Sequence, residues 1–576
     1  MKVILYTFLI VALSGCGHVS DRHKGDAIYF GGTILTMEDT SPTVEAVVLN
    51  DGKIIFAGDK QEAEKYADET TVEYDLKGKT LLPGFIDAHG HITSRAGMMQ
   101  AVDLSPTPYG TVNSIADLQQ TLKEYIRKHN LPVDQPIIGN GYDDAIITEH
   151  RHPTILELNA VSQTHPIIVI HASGHASVVN SAMLKLLGID ETVRDPQGGH
   201  FGRDKKTGKL NGKLEENASF TALLNLTKKI AHGNENNDTI SNALKNLLKA
   251  QDEWLSYGQT TICDGRTMGE SLALLKEAAD KNLLKADIIY FPDYEHYKEH
   301  LKDFKPEYMK YYNRLKLGGF KFSDDGSPQG KTAWLTQPYL VPPEGQGTDY
   351  KGFPIFTDST LYSDLKTLFQ NHITAQMHVN GDAAIDQAIR VISRLKSEGT
   401  YKPELRTTFI HVQNSRPDHI QKIKDIGVIP SYFPTHVYLW GDWHYANVFG
   451  PERAAFISPT NAAKKAGIIF TIHHDAPVTP PDLITAVYAA VNRKTRSGRI
   501  LGPDERIKPL DALKAITIHA AYQFHEEKIK GSIKVGKLAD LVILDQNPLE
   551  IPSEKIKDIK VLETIKEGKS IYKWNE

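Results

Sequence analysis

Two histidines one residue apart, His89 and His91, close the run Leu82-Pro83-Gly84-Phe85-Ile86-Asp87-Ala88-His89-Gly90-His91. If that run is extended, its period-two alternation puts both rings on one side, where they can chelate one metal ion. Taken alone, the pair fits a solvated loop as well. Three later apolar runs end on comparable chemistry. Ala375 to Val379 carries His378, Thr408 to Val412 carries His411, and Ile468 to Ile472 leads into His473-His474-Asp475, a carboxylate where a general base is wanted. A single histidine of this kind is more often structural, and Asp475 ahead of Ala476-Pro477 also fits a helix N-cap. Four separate strand ends giving His, His, His and Asp in chain order are harder to dismiss than any one of them.

The elements that would hold these residues are short apolar runs alternating with helix-like stretches, the pattern of βα units and a parallel sheet. Eight runs qualify: Phe85 to His89, Thr260 to Asp264, Ala286 to Phe291, Gly319 to Ser323, Ala375 to Val379, Thr408 to Val412, Val428 to Tyr432 and Ile468 to Ile472. The expected fold is therefore α/β, a (β/α)8 TIM barrel over 84–528, whose chemistry sits at the C-terminal ends of the strands. About 170 residues separate the first run from the second, far more than one crossover needs, so a large insert is expected after barrel strand 1, roughly 95–255. Segments 27–83 and 529–576 are β-rich and are expected to form a composite β-sandwich domain from both chain ends.

The chain has 576 residues, 66 Lys plus Arg against 71 Asp plus Glu, 24% charged and 40% hydrophobic. These are ordinary globular proportions, and the formal charge of -5 lacks the basic excess that phosphate neutralisation requires, so no nucleic-acid partner is expected. The cysteines are Cys16 and Cys263, too few for a Cys-rich metal site. Met1-Lys2, the apolar run Val3 to Leu13 and Leu13-Ser14-Gly15-Cys16 read as an export signal over 1–15, too short to span a bilayer. The last four residues resemble a bacterial lipobox, which implies lipidation of Cys16, a tether over 16–26, a membrane contact through the N-terminal lipid anchor and a place in the cell envelope. Cys263 reads as a small buried hydrophobe.

Taken together, these features resemble the amidohydrolase superfamily of metal-dependent hydrolases. The run ending in His89-Gly90-His91 and Gly531-Ser532-Ile533-Lys534-Val535-Gly536-Lys537-Leu538-Ala539-Asp540-Leu541 look like the family's first and last signatures. More narrowly, Gly174-His175-Ala176-Ser177-Val178-Val179-Asn180-Ser181-Ala182, Lys321 with Asp325-Gly326-Ser327, and His378-Val379-Asn380-Gly381-Asp382 resemble the YtcJ-like branch, which includes N-substituted formamide deformylase. The resemblance implies that His89 and His91 bind one metal, His378 and His411 a second, and Asp475 touches metal and water. It implies a carbamylated Lys321 bridging the two; if Lys321 is instead an ordinary paired lysine, one ion is expected. Imidazole and carboxylate suit zinc first among the divalent metals. Such an ion lowers the pKa of water towards about 7 and polarises a carbonyl, while Asp475 would take the proton and return it to the leaving nitrogen, help worth roughly two to four orders of magnitude.

Many relatives in the branch have Glu before the strand-six His and Gly-Ser before the strand-eight Asp, where this chain has Ile410 and His473-His474; this puts the surroundings of the ligands in question. His474 either reaches substrate or supports Asp475. For substrate binding, the candidates are His175 and Asn180 in the insert, and His436 and Trp440 in the aromatic stretch that also holds Tyr438, Trp443 and His444. Tyr142-Asp143-Asp144 is a weaker one. The expected function is hydrolysis of a carbon–nitrogen bond other than a peptide bond, in an amide or N-acyl small molecule. The alternatives are phosphoester hydrolysis with the same ligands, or a lipid-anchored binding or regulatory protein without turnover. Barrel relatives often dimerise, and a homodimer stays an open expectation.

Overall fold

The computed structural model describes residues 24–574 apart from 197, 234–237 and 344. The expected export signal over 1–15 and Cys16 lie outside the described residues. Eight parallel strands form the barrel: β1 (Phe85–Ile86), β2 (Gln259–Thr267), β3 (Asp287–Pro292), β4 (Phe320–Ser323), β5 (Ala375–Val379), β6 (Thr408–His411), β7 (Ile429–Tyr432) and β8 (Thr471–Ile472). β1 pairs with β2 and β2 with β3, and β4 to β8 pair in sequence. Between the two arcs, β3 pairs with Leu315–Leu317, which runs through Gly318-Gly319 into β4. A side chain on Gly318 would meet Ile289 and Phe291 at 2.6 Å, so only glycine lets the fourth strand turn against the third there. At the other seam, the Asp475 N–H donates to the His89 carbonyl (3.2 Å) and the His91 N–H to the Ala476 carbonyl (2.7 Å). These bonds join the ends of β1 and β8 directly.

The strands are continuous apolar runs because both faces are covered; all five residues of β5 and all four of β6 are buried. The covering helices are amphipathic. Helix Asp382–Ser397 buries Ile385, Ala388, Ile389, Ile392 and Leu395. Helix Pro417–Ile426 starts on proline and stops at Gly427, φ 76°, the expected asymmetry of helix ends.

The insert builds its own six-stranded sheet, in the order Gly199–Arg203, Leu210–Glu216, Ala176–Val179, Ile167–His171, Ile137–Tyr142 and Val102–Asp103. Helix Asp238–Ser256, which falls within the expected insert of 95–255, packs instead with the barrel. Its Leu247, Ala250, Trp254 and Leu255 join the main core beside Ile92, Ala96 and Leu275. An apolar face that matches the barrel wall decides this, and sequence distance from β2 does not.

Both chain ends enter one eight-stranded sheet, in which Leu541–Leu544 pairs antiparallel with Thr80–Pro83. Tyr29, Ile34, Val47 and Leu81 from one end share a core with Ile533, Leu541 and Ile565 from the other. Buried charges fasten this sheet to the barrel. Lys566 Nζ lies 2.7 Å from both Asp287 and Asp540, Lys530 also pairs with Asp287, and Arg314 forks onto Glu567 at 2.9 and 3.0 Å. Among the described residues, no helix is long and apolar enough to cross a membrane.

Candidate metal centre and substrate cleft

The barrel mouth brings His89, His91, Lys321, His378, His411 and Asp475 together. His91 Nε2 lies 3.1 Å from Asp475 Oδ1, and His89 Nε2 lies 3.5 Å from the same oxygen and 2.9 Å from Lys321 Nζ. The donor atoms of His89, His91 and Asp475 fall within 4.8 Å of one another. Gly265 permits this packing, since a Cβ there would stand 2.3 Å from the His89 ring. Two of these residues, His411 and Asp475, take left-handed backbone at φ 74° and 57°, as does the β-branched Val412 at 48°. Strain of this kind gathers where a side chain must be aimed.

Hydrogen bonds hold the rings in place. His89 Nδ1 is 3.0 Å from Gln376 Oε1, an acceptor, so the proton sits on Nδ1 and the Nε2 lone pair faces the centre. His378 Nε2 lies 3.1 Å from the Gly326 carbonyl and 3.0 Å from Asn380 Nδ2, and its Nδ1 lies 3.1 Å from His411 Nε2. His411 Nδ1 in turn contacts His473 Nε2 at 3.0 Å, and His473 Nδ1 contacts Ser431 Oγ at 2.8 Å. His378 Nδ1 and His411 Nε2 thus converge at the barrel mouth as two imidazole nitrogens 3.1 Å apart, and with the nearby Asp475 carboxylate they are a donor set that fits a metal.

Burial holds His89, His378, His411 and His473 well below the usual imidazole range, with neighbouring cationic and imidazole groups adding to it. The rings are therefore neutral ligands at physiological pH. Burial also lowers Lys321 to about 8, against the pull of Asp475. Asp87, fully enclosed, is pushed up to about 7 by burial despite donors from Trp254, Cys263 and the His89 N–H. His474 is buried too; its Nδ1 accepts from the Ala476 N–H at 2.9 Å, and its Nε2 lies 3.3 Å from Gln259 and 3.4 Å from Asp87. It braces the Asp475 turn and does not reach substrate.

A cleft of about 380 Å³ opens over the centre. Asp475, Lys321 and His378 form its floor, and Phe220, Leu223 and Met268 give it apolar wall. His175 reaches it from the insert. Its Nδ1 is 2.7 Å from Glu216 Oε2, its ring lies 5.2 Å from that of His378, and its other nitrogen is left for a ligand.

Three sequence expectations for substrate binding are corrected. Asn180 is fully buried and uses its whole amide on backbone. Oδ1 accepts from the Met183 and Ile167 N–H groups at 2.9 Å, and Nδ2 donates to the Ser162 and His165 carbonyls at 2.9 Å. It caps helix Ser181–Leu187. His436 packs at a tilt on Trp440 and edge-to-face on Phe433, and bonds His444 at 3.0 Å. Trp440 donates to Asp143 at 2.6 Å. Both rings are spent on an aromatic packing cluster next to the cleft, and neither lines it. In the weaker candidate, Asp144 approaches His171 at 3.0 Å, but His171 Nδ1 accepts from the Ser173 N–H. Its Nε2 therefore carries the proton and is no ligand.

Sequence reasoning missed Gln376, His473, Glu216 and Arg266. For His473 a signal existed, because alternation puts it on the same side as Asp475. The others are polar residues whose partners lie far away in sequence.

A family model described as "Amidohydrolase family" matches residues 72–572. N-substituted formamide deformylase of Arthrobacter pascens is 26% identical over 94% of this chain and 97% of its own length. The putative amidohydrolase YtcJ of Bacillus subtilis is 26% identical over 95% and 99%. In fold the chain is similar to an uncharacterized metal-dependent hydrolase from Pyrococcus horikoshii, with a TM-score of 0.71 and 24% identity over 92% of this chain and 99% of that one.

Proposed function

The chain belongs to the amidohydrolase family, and from that premise we propose that it hydrolyses a carbon–nitrogen bond of a small amide or N-acyl compound, with metal held by the residues at the barrel mouth. The observation that carries the reading is the convergence of His378 Nδ1 and His411 Nε2, 3.1 Å apart, beside the His89–His91–Asp475 group, whose donor atoms lie within 4.8 Å of one another. His89, His91 and Asp475 would hold one divalent ion, and His378 with His411 a second. Zinc suits these ligands best. A carbamate on Lys321, an anion with two oxygens, would bridge the two sites where a bare ammonium would repel them. Bound metal supplies an acidified water and a polarised carbonyl. Asp475 takes the water's proton on a carboxylate held 3.1 Å from His91 and passes it to the leaving nitrogen. His175, oriented by Glu216, holds the substrate from the insert side, and the apolar wall keeps bulk water off the reacting bond.

The test is metal content per chain by elemental mass spectrometry, together with a panel of amides and phosphoesters. Asp475→Asn should keep most of its metal and lose roughly two to four orders of magnitude in kcat. Metal-loaded protein that cleaves phosphoesters and no amide would overturn the reading, and so would an Asp475→Asn variant with full turnover.

We also propose, from Leu13-Ser14-Gly15-Cys16, that Cys16 carries lipid and tethers the enzyme to the cell envelope. Labelling with a radioactive fatty acid should mark the intact chain and spare Cys16→Ser; equal labelling of both would sink the idea.

A further inference from the structure

The cleft holds a cation that the hydrolytic machinery does not use. Arg266 follows Gly265 at the C-terminal end of β2, directly beside the glycine that packs on His89. Its Nε donates to Asp293 Oδ2 at 2.7 Å, and the face of its guanidinium lies 4.7 Å from the Phe220 ring centre. Asp293 is itself fixed, because its other oxygen accepts from the His296 N–H at 3.1 Å. The guanidinium is thus held at one edge and over one face, while its two terminal NH2 groups make no hydrogen bond to a described residue. The side chain keeps 26% of its surface exposed and lines the cleft. Among the described lining residues it is the one arginine, and Asp475 is the one acid.

A planar fork with both terminal nitrogens free matches a carboxylate two-for-two, and pinning it beforehand lowers the entropy lost on binding. Phe220, Leu223 and Met268 next to it would take an apolar group.

We propose that Arg266 determines specificity by binding a carboxylate on the substrate end-on, so that the preferred substrate is an N-acyl compound carrying both a carboxylate and an apolar group, of the N-acyl amino acid class. This rests on the hydrolase reading above for turnover, while the binding part stands separately. Both oxygens of the carboxylate accept from the terminal nitrogens of Arg266. The apolar group lies against Phe220 and Leu223, and the amide carbon is left over Asp475.

The test uses the metal-loaded full chain and a matched pair, N-formylphenylalanine and N-formylphenethylamine, which differ only by the carboxylate. Two ratios are read, kcat/KM from turnover and affinity from calorimetry, in the wild type, Arg266→Met and Arg266→Lys. The acid should be favoured by at least about tenfold in the wild type, as expected when a pinned, half-buried charged donor pair loses its partner. The ratio should fall towards one in Arg266→Met, with Arg266→Lys between, since a lysine keeps the charge and lacks the fork. The wild-type comparison needs no variant, so a misfolded substitution cannot decide the matter. Equal handling of the pair by the wild type, or a preference that survives in Arg266→Met, overturns the assignment. If neither amide is cleaved but the acid still binds preferentially through Arg266, the hydrolase reading fails and the carboxylate site stands.

Discussion

At the residue scale each imidazole of the candidate centre is oriented by a neighbour. Gln376 holds His89, the Gly326 carbonyl and Asn380 hold His378, and His473, itself against Ser431, holds His411. A metal-binding imidazole depends on such partners to present the right lone pair. Lys321 is prepared in a different way. Carbamylation needs the neutral amine, and burial brings Lys321 down to about 8, so a large share is neutral near that pH where an ordinary lysine is almost wholly charged. The sign follows directly. A folded pKa lowered towards 8 means more free amine as pH rises through that value and almost none well below it. Apoprotein incubated with zinc and bicarbonate should therefore take up its second ion faster at about pH 8 than at about pH 6, as read by elemental analysis over time. Uptake independent of pH and bicarbonate would show that Lys321 stays unmodified.

At the element scale, strand ends supply the ligands and the insert supplies the cleft wall. Asn180 illustrates how the two can be confused. It sits in the same motif as His175, yet the strand Ala176–Val179 between them delivers His175 to the cleft and Asn180 to the start of a helix. Replacing Asn180 with Ala removes the cap and leaves the Ile167 N–H without its partner, a loss of about 1–3 kcal/mol. Denaturant unfolding should register that loss, while kcat/KM of the folded fraction stays close to wild type. A variant with unchanged stability and collapsed kcat/KM would return Asn180 to the binding site.

At the scale of the whole molecule, the composite sheet is locked to the underside of the barrel by buried charges. Desolvation opposes the ionised form of Asp287, but Lys530 and Lys566 outweigh it and hold the carboxyl well below its usual range. A depressed folded pKa gives stability that is present above the unfolded value, near 3.9, and lost as pH falls towards the folded one. Unfolding free energy should therefore drop as the protein is acidified below about pH 4, and Asp287→Asn should flatten that part of the profile. Removing one partner also strands the remaining charges, so Lys566→Met should cost about 3–5 kcal/mol at neutral pH, measured by denaturant titration. A neutral result would mean that the apolar seam between Leu541–Leu544 and Thr80–Pro83 alone holds the sheet in place.

The sequence by itself determined the barrel, the order in which His and Asp side chains reach its mouth and the merging of the chain ends. These depend on local patterns: apolar runs of strand length, a His-x-His alternation, and signatures that survive as contiguous residues. Even the interruption at Gly318-Gly319 is written as two adjacent glycines. The tertiary structure alone decided which polar residues serve the site. Gln376 meets His89 across 287 positions, and Arg266 meets Phe220 only after the insert has folded back over the mouth. Asn180 and Trp440 carry the right chemistry in the right neighbourhood but turn it inward, to backbone amides and to Asp143. A hydrogen bond has a direction and a reach of about 3 Å, and no spacing in a chain of this length encodes either one.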